Sequence, residues 1–148
     1  MTEHPPEAPP DAPAGQPPLA TCSFKTYTRD MGVAVRITVG RPRFFRHPYE
    51  FVAALAPFGI FNAPEFEGKP MDVKEAAFYR RLDSKREEVL AALGALADAH
   101  PGRTLVLLCY EDVHAGDACH RTWAANWFAD RLGWDVPEVS PAPEPRLF

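Results

Sequence analysis

Apolar and polar positions alternate over short stretches of the first third of the chain, which predicts strands there. The first ordered segment is expected at Ser23–Tyr27, where Phe24 and Thr26 alternate with Lys25 and Tyr27. A second strand is predicted over Val33–Val39, with Val33, Val35, Ile37 and Val39 on one period-2 face and Arg36 on the other. Gly40 and Pro42 end it. Pro48 suits the first turn of a short helix running to about Leu55, and Phe58–Phe61 reads as a brief strand.

Helical spacing takes over from Asp72. Asp72 with Glu75, and Ser84 with Glu87, have the capping-box interval, which predicts helices over Val73–Leu82 and Lys85–Ala99. Val89, Leu90, Leu93 and Leu96 form an apolar stripe on the second. His100-Pro101-Gly102 stops that helix. The continuous apolar run Thr104–Cys109 then reads as a central parallel strand covered on both sides. Asp117 is placed to cap a helix over Ala118–Leu132, closed by Gly133, and Val136–Val139 adds an edge strand. Trp123, Trp127 and Phe128 recur at helical spacing and are expected in the core. Strands separated by helices predict a three-layer α/β domain, a Rossmann-like, mostly parallel sheet flanked by helices.

Composition sets the limits of that domain. The chain has 148 residues, 46% of them apolar, enough for one core. Its 17 prolines crowd the ends, and the first stretch, MTEHPPEAPPDAPAGQPPLA, cannot bury enough surface to order itself. Residues 1–21 are therefore expected to be a disordered proline-rich tail, 22–139 a single α/β domain and 140–148 a second tail. No apolar run approaches a membrane span, so no membrane partner is expected. The first twenty residues lack Lys and Arg, which argues against a secretory signal. The net charge of −4 owes much to Glu3, Glu7 and Asp11, so the folded part is near neutral and poorly suited to coating nucleic acid. Three cysteines without dense spacing point to reduced thiols in a cytoplasmic setting.

Candidate chemistry gathers in two segments. Ligands of open α/β sheets sit beyond the carboxyl ends of the strands. Gly40-Arg41-Pro42-Arg43-Phe44-Phe45-Arg46-His47-Pro48 follows one predicted strand, and Cys109 to Arg121 follows the buried one. Cys119, His120 and Arg121 fall on a helix amino terminus, which favours anions and lowers a thiol pKa. Arg41, Arg43 and Arg121 would neutralise a phosphate or carboxylate, with Glu111 positioning a guanidinium or acting as acid or base. The plainer reading of each is also available: arginines on a solvated surface, Cys109 as buried packing, His120 as a packing group. Phe44, Phe45 and Tyr49 lie in a basic loop, where base stacking competes with simple burial.

Other chemistries are disfavoured. The spacing C-x4-H-x4-C-H lacks a C-x-x-C pair, so no metal site and no cofactor is expected. The C-x5-R pattern of cysteine phosphatases fails, because Ala115 and Ala125 stand where arginine is needed. Phosphate-loop, dinucleotide and serine-elbow motifs are absent.

Leu107-Leu-Cys-Tyr-Glu-Asp112 followed by Cys119-His-Arg121 resembles the signature of the domain of unknown function 488 family. Val35-Arg-Ile-Thr38 with Gly40-Arg-Pro-Arg43 resembles a short form of its first motif, and Trp134-Asp-Val-Pro-Glu138 its usual ending. The resemblance spans about Phe24 to Val139 and implies a compact α/β domain with a site near these motifs. It brings no established reaction. Residue by residue it points to Arg41, Arg43, Cys109, Glu111, Cys119, His120 and Arg121. The middle, about Phe58–Asp72, is shorter than in longer members.

The combined expectation is an anion-binding protein whose ligand is a phosphate-bearing small molecule, nucleotide-like or derived from nucleic acid, with Cys119 or His120 at a reacting centre. The alternative is a non-catalytic adaptor that reaches a partner through its proline-rich tail. Oligomeric state cannot be read from the chain.

Overall fold

The computed structural model describes residues 15–40, 42–57, 60, 68–109 and 120–139. Four parallel strands form one sheet: β1 (Leu19–Ser23), β2 (Val33–Arg36), β3 (Glu50–Phe51) and β4 (Leu105–Cys109), in the spatial order β1-β4-β2-β3. Three helices flank it: α1 (Met71–Ser84), α2 (Arg86–Ala99) and α3 (His120–Leu132). This is the expected Rossmann-like α/β architecture. Every residue of β4 is buried, as its unbroken apolar run requires of a central strand.

The direction of each connection decides which face it covers. From β1 to β2 to β3 the chain moves one way across the sheet; from β3 to β4 and on to Glu138 beside β1 it returns. Crossovers of a single hand must then lie on opposite faces. The core follows this rule. Phe78, Leu82, Val89, Leu93, Trp127 and Phe128 from the three helices pack with Val33, Val35, Leu105 and Leu107 on one face. On the other, loop residues Phe24, Tyr27 and Phe45 pack with Ala34, Val106 and Leu108. The outer layer on that second face is therefore built from apolar loops.

Several elements differ from the pattern-based expectation. The first strand is β1, paired residue for residue with β4 from Leu19↔Leu105 to Ser23↔Cys109, and 24–26 form a turn. Pairing on a buried central strand outweighs the proline-rich composition just upstream. Pro48 opens no α-helix. Glu50 and Phe51 pair with β2, the Val52 amide bonds the Arg36 carbonyl, and Ala53–Leu55 form a single 3-10 turn. Neither capping box forms: α1 is preceded by Pro70, and the Ser84 hydroxyl donates to the Arg81 carbonyl inside α1. With only Lys85 between the helices, Ser84 is still part of the first.

The second strand ends at Arg36 rather than Val39, where its pairing with β3 and β4 stops. Ile37 is still fully buried beyond it, but Val39, expected on the same face, is 41% exposed. Gly133 closes α3 at φ 68°, with the Trp134 amide bonding the Phe128 carbonyl. Glu138 bridges to Thr21 in parallel, the remnant of the expected edge strand. The expected strand at Phe58–Phe61 (Ile60 apart) and the cap at Asp117 lie outside the described residues, as does the tail over 140–148. So do residues 1–14 of the tail expected over 1–21, whose end, 19–21, is instead ordered in β1. Among the described residues no helix is long and apolar enough to cross a membrane.

Candidate functional site

Because all strands run parallel, their carboxyl ends share one rim, where β2 and β4 deliver Ile37 and Cys109 to the start of α3. His120, the first residue of α3, ties the three together. Its Nε2–H donates to the Ile37 carbonyl at 2.6 Å, and its Nδ1 lies 3.2 Å from the Cys109 sulfur. The carbonyl acceptor fixes the proton on Nε2. Burial pushes the imidazole pKa down to about 4; the Ile37 bond opposes that shift and the Arg121 charge adds to it. His120 is thus neutral near pH 7, edge-on to the Phe78 ring at 5.8 Å.

Arg121 is fully buried. Its Nε and Nη2 each donate to a Glu138 carboxylate oxygen at 3.0 Å, and the Thr21 hydroxyl donates to the same carboxylate at 2.5 Å. The guanidinium expected to meet an anion is matched by an internal one. Cys109, expected as a reduced thiol, is disulfide-bonded, while Cys22 is a free buried thiol. Spacing along a chain carries no information about which sulfurs folding brings within bonding distance. Arg43 is exposed. Arg41, Glu111 and Cys119 lie outside the described residues.

The two candidate segments leave the same rim but diverge. Phe45 anchors the loop of Arg43 on the loop-covered face, whereas α3 packs on the helical face. The described members of the sequence-derived set therefore do not converge: Arg43 is on the surface, His120 and Arg121 are internal.

A different cleft is open. Three separate segments, 27–34, 47–50 and 100–103, surround a cavity of about 510 Å³ lined in part by Tyr27, Arg29, His47, Tyr49, His100 and Arg103. Its floor depends on Gly32, at φ 142°, where an added Cβ would stand 2.2 Å from the Thr104 carbonyl oxygen. That glycine lets the start of β2 approach the turn before β4, and its own carbonyl accepts the Tyr27 hydroxyl at 2.6 Å. The Tyr27 pKa is raised by burial, and the charges of Arg103 and Arg29 pull against that rise. Both guanidinium groups thus act on one phenol.

Two carboxylates, Asp30 and Glu50, also line the cleft. Glu50 pairs with His100 at 3.2 Å, and Asp30 accepts from the Thr28 hydroxyl at 2.5 Å. Among the described residues Arg29 and Arg103 have no ion-pair partner. Two guanidinium groups beside the exposed Tyr49 ring can hold a phosphate and stack a flat group. The sequence singled out only His47 and Tyr49 of this cleft, because its residues lie on three stretches between Tyr27 and Arg103 and share no motif. Among the described residues no three His, Cys, Asp or Glu side chains gather as a metal set. No family model matches the chain, nor does any curated protein or solved structure.

Proposed function

We propose that this protein binds a phosphate-bearing ligand of nucleotide size in the cleft between Arg29 and Arg103. The observation that carries the reading is the pair of guanidinium groups, without carboxylate partners among the described residues, that line a cavity of about 510 Å³. Ligand sites of small molecules commonly span roughly 300–1,000 Å³. Arg29 and Arg103 supply charge-assisted hydrogen bonds to phosphate oxygens, and the exposed Tyr49 offers ring surface to a base.

The reading is one of binding. His120 holds its proton in a bond to Ile37, and Arg121 is taken by Glu138, so neither supports turnover at the opposite end of the sheet. The resemblance to the domain of unknown function 488 family is compatible with this reading and names no ligand.

A ligand that binds only the folded state raises the melting temperature by mass action. Thermal unfolding is therefore followed with inorganic phosphate, with thymidine monophosphate and with thymidine. The nucleotide should stabilise the protein more than the nucleoside, and Arg103→Ala should abolish the difference. If neither phosphate nor the nucleotide stabilises the parent, the proposal fails.

A further inference from the structure

Exposed aromatic side chains among the described residues are gathered in one place. Among the described residues the exposed large hydrophobic side chains include three aromatic ones, Phe44 at 55%, Phe51 at 40% and Tyr49 at 36%, all within eight residues of one another. Val39, at 41%, borders them. Scattered exposed apolar residues are ordinary, but a concentrated set marks an interaction surface.

The charge of the same stretch selects the partner. Residues 36–51 carry Arg36, Arg41, Arg43 and Arg46 against the single carboxylate of Glu50, in a chain whose formal net charge is −4. Glu50 is itself turned to His100. Arg36 and Phe51 are register partners on β2 and β3, and the Arg36 guanidinium lies over the Phe51 ring at 3.8 Å and over Tyr49 at 5.6 Å. Its Nη1 donates to the Val39 carbonyl at 3.0 Å, and its Nε is buried with no hydrogen-bond partner among the described residues. The cation is thus held against an aromatic surface. Interleaved arginines and partly exposed rings suit unpaired bases and phosphates.

We infer that the Arg36–Phe51–Tyr49 surface, with Phe44 and Arg43, is a platform for single-stranded nucleic acid running out of the Arg29–Arg103 cleft. Tyr49 lines that cleft and joins the two, so the inference rests on the ligand reading above. One nucleotide occupies the cleft, and the next bases stack over Phe51 and Phe44. The strand's phosphates meet Arg43 and its neighbours.

The test compares a fluorescent twelve-nucleotide thymidine oligomer with thymidine monophosphate on the full chain. The oligomer should bind at least tenfold more tightly than the mononucleotide. Phe44→Ala/Phe51→Ala, both on exposed side chains, should weaken the oligomer by roughly tenfold or more and leave the mononucleotide unchanged. Arg43→Ala should make the dependence of log affinity on log salt shallower by about 0.7. An oligomer that binds no more tightly than the mononucleotide, or is indifferent to the double variant at an unchanged melting temperature, overturns the platform and leaves the cleft reading standing. Absence of binding by both removes the two together.

Discussion

Arg121 lies wholly out of solvent, its guanidinium forked onto the Glu138 carboxylate through two contacts of 3.0 Å, so the residue at the start of α3 locks the chain beyond that helix onto β1. Thr21 of β1 completes the lock by donating to the same carboxylate. A sequence motif that reads as an anion site is here an internal ion pair. Breaking one partner strands a buried charge, at a cost of roughly 3–5 kcal/mol, and the lower end suits Glu138 because its side chain is one-fifth exposed. Urea unfolding of Arg121→Met should show that loss. Arg121→Met/Glu138→Leu should recover most of it, because no unpaired charge remains.

His120 makes stability depend on pH. Its folded pKa is about 4 against an ordinary value of 6.5, so between these values the unfolded chain holds more protons. Stability is therefore complete above pH 6.5 and falls as pH drops towards 4, by up to roughly 3 kcal/mol from this group. Chemical unfolding midpoints measured from pH 4 to pH 8 should trace that slope. His120→Gln, which cannot take up the proton, should flatten it.

Asp83 bridges two helices. One of its oxygens accepts from the indole of Trp127 at 2.9 Å and from Arg131 Nε at 3.0 Å. The Arg131 pair is solvent-exposed and contributes little. The Trp127 bond matters more, since the ring is fully buried and its N–H has no water to fall back on. Asp83→Ala should cost about 1–2 kcal/mol in unfolding free energy, while Asp83→Asn, which keeps an acceptor, should cost less.

Gly32 is the backbone position least tolerant of change. A methyl group would meet the Thr104 carbonyl oxygen at 2.2 Å, and φ 142° is a conformation that side chains avoid. Gly32→Ala should destabilise by about 2 kcal/mol or more and should weaken nucleotide binding, because the cleft floor shifts. Gly94→Ala serves as the contrast: that helical glycine has no heavy atom near its added Cβ, and it should gain about 0.5–1 kcal/mol.

Much of the fold was legible along the chain. The run at Leu105–Cys109 announced a strand buried on both faces, and the stripe of Val89 and Leu93 announced a packed helix. Trp123, Trp127 and Phe128 were legible as core. What misled was local chemistry without its context. Ser84 and Glu87 have the interval of a capping box, yet the single residue between α1 and α2 leaves Ser84 inside the first helix. Pro48 suited a helix start, yet the open edge of β2 captured Glu50 and Phe51 instead.

The site was harder to read for a different reason. Sequence alone determined which segments leave the carboxyl end of the sheet, because parallel strands with helical crossovers admit only one such end. It also determined the basic and aromatic character of residues 36–51. Only the tertiary structure decided that Arg121 faces Glu138, seventeen residues further on, and that Arg29 and Arg103 flank one opening. A guanidinium looks the same in sequence whether it meets solvent, a ligand or an internal carboxylate. Its partner is set by which face each crossover takes, and that is a property of the assembled sheet rather than of any stretch within it.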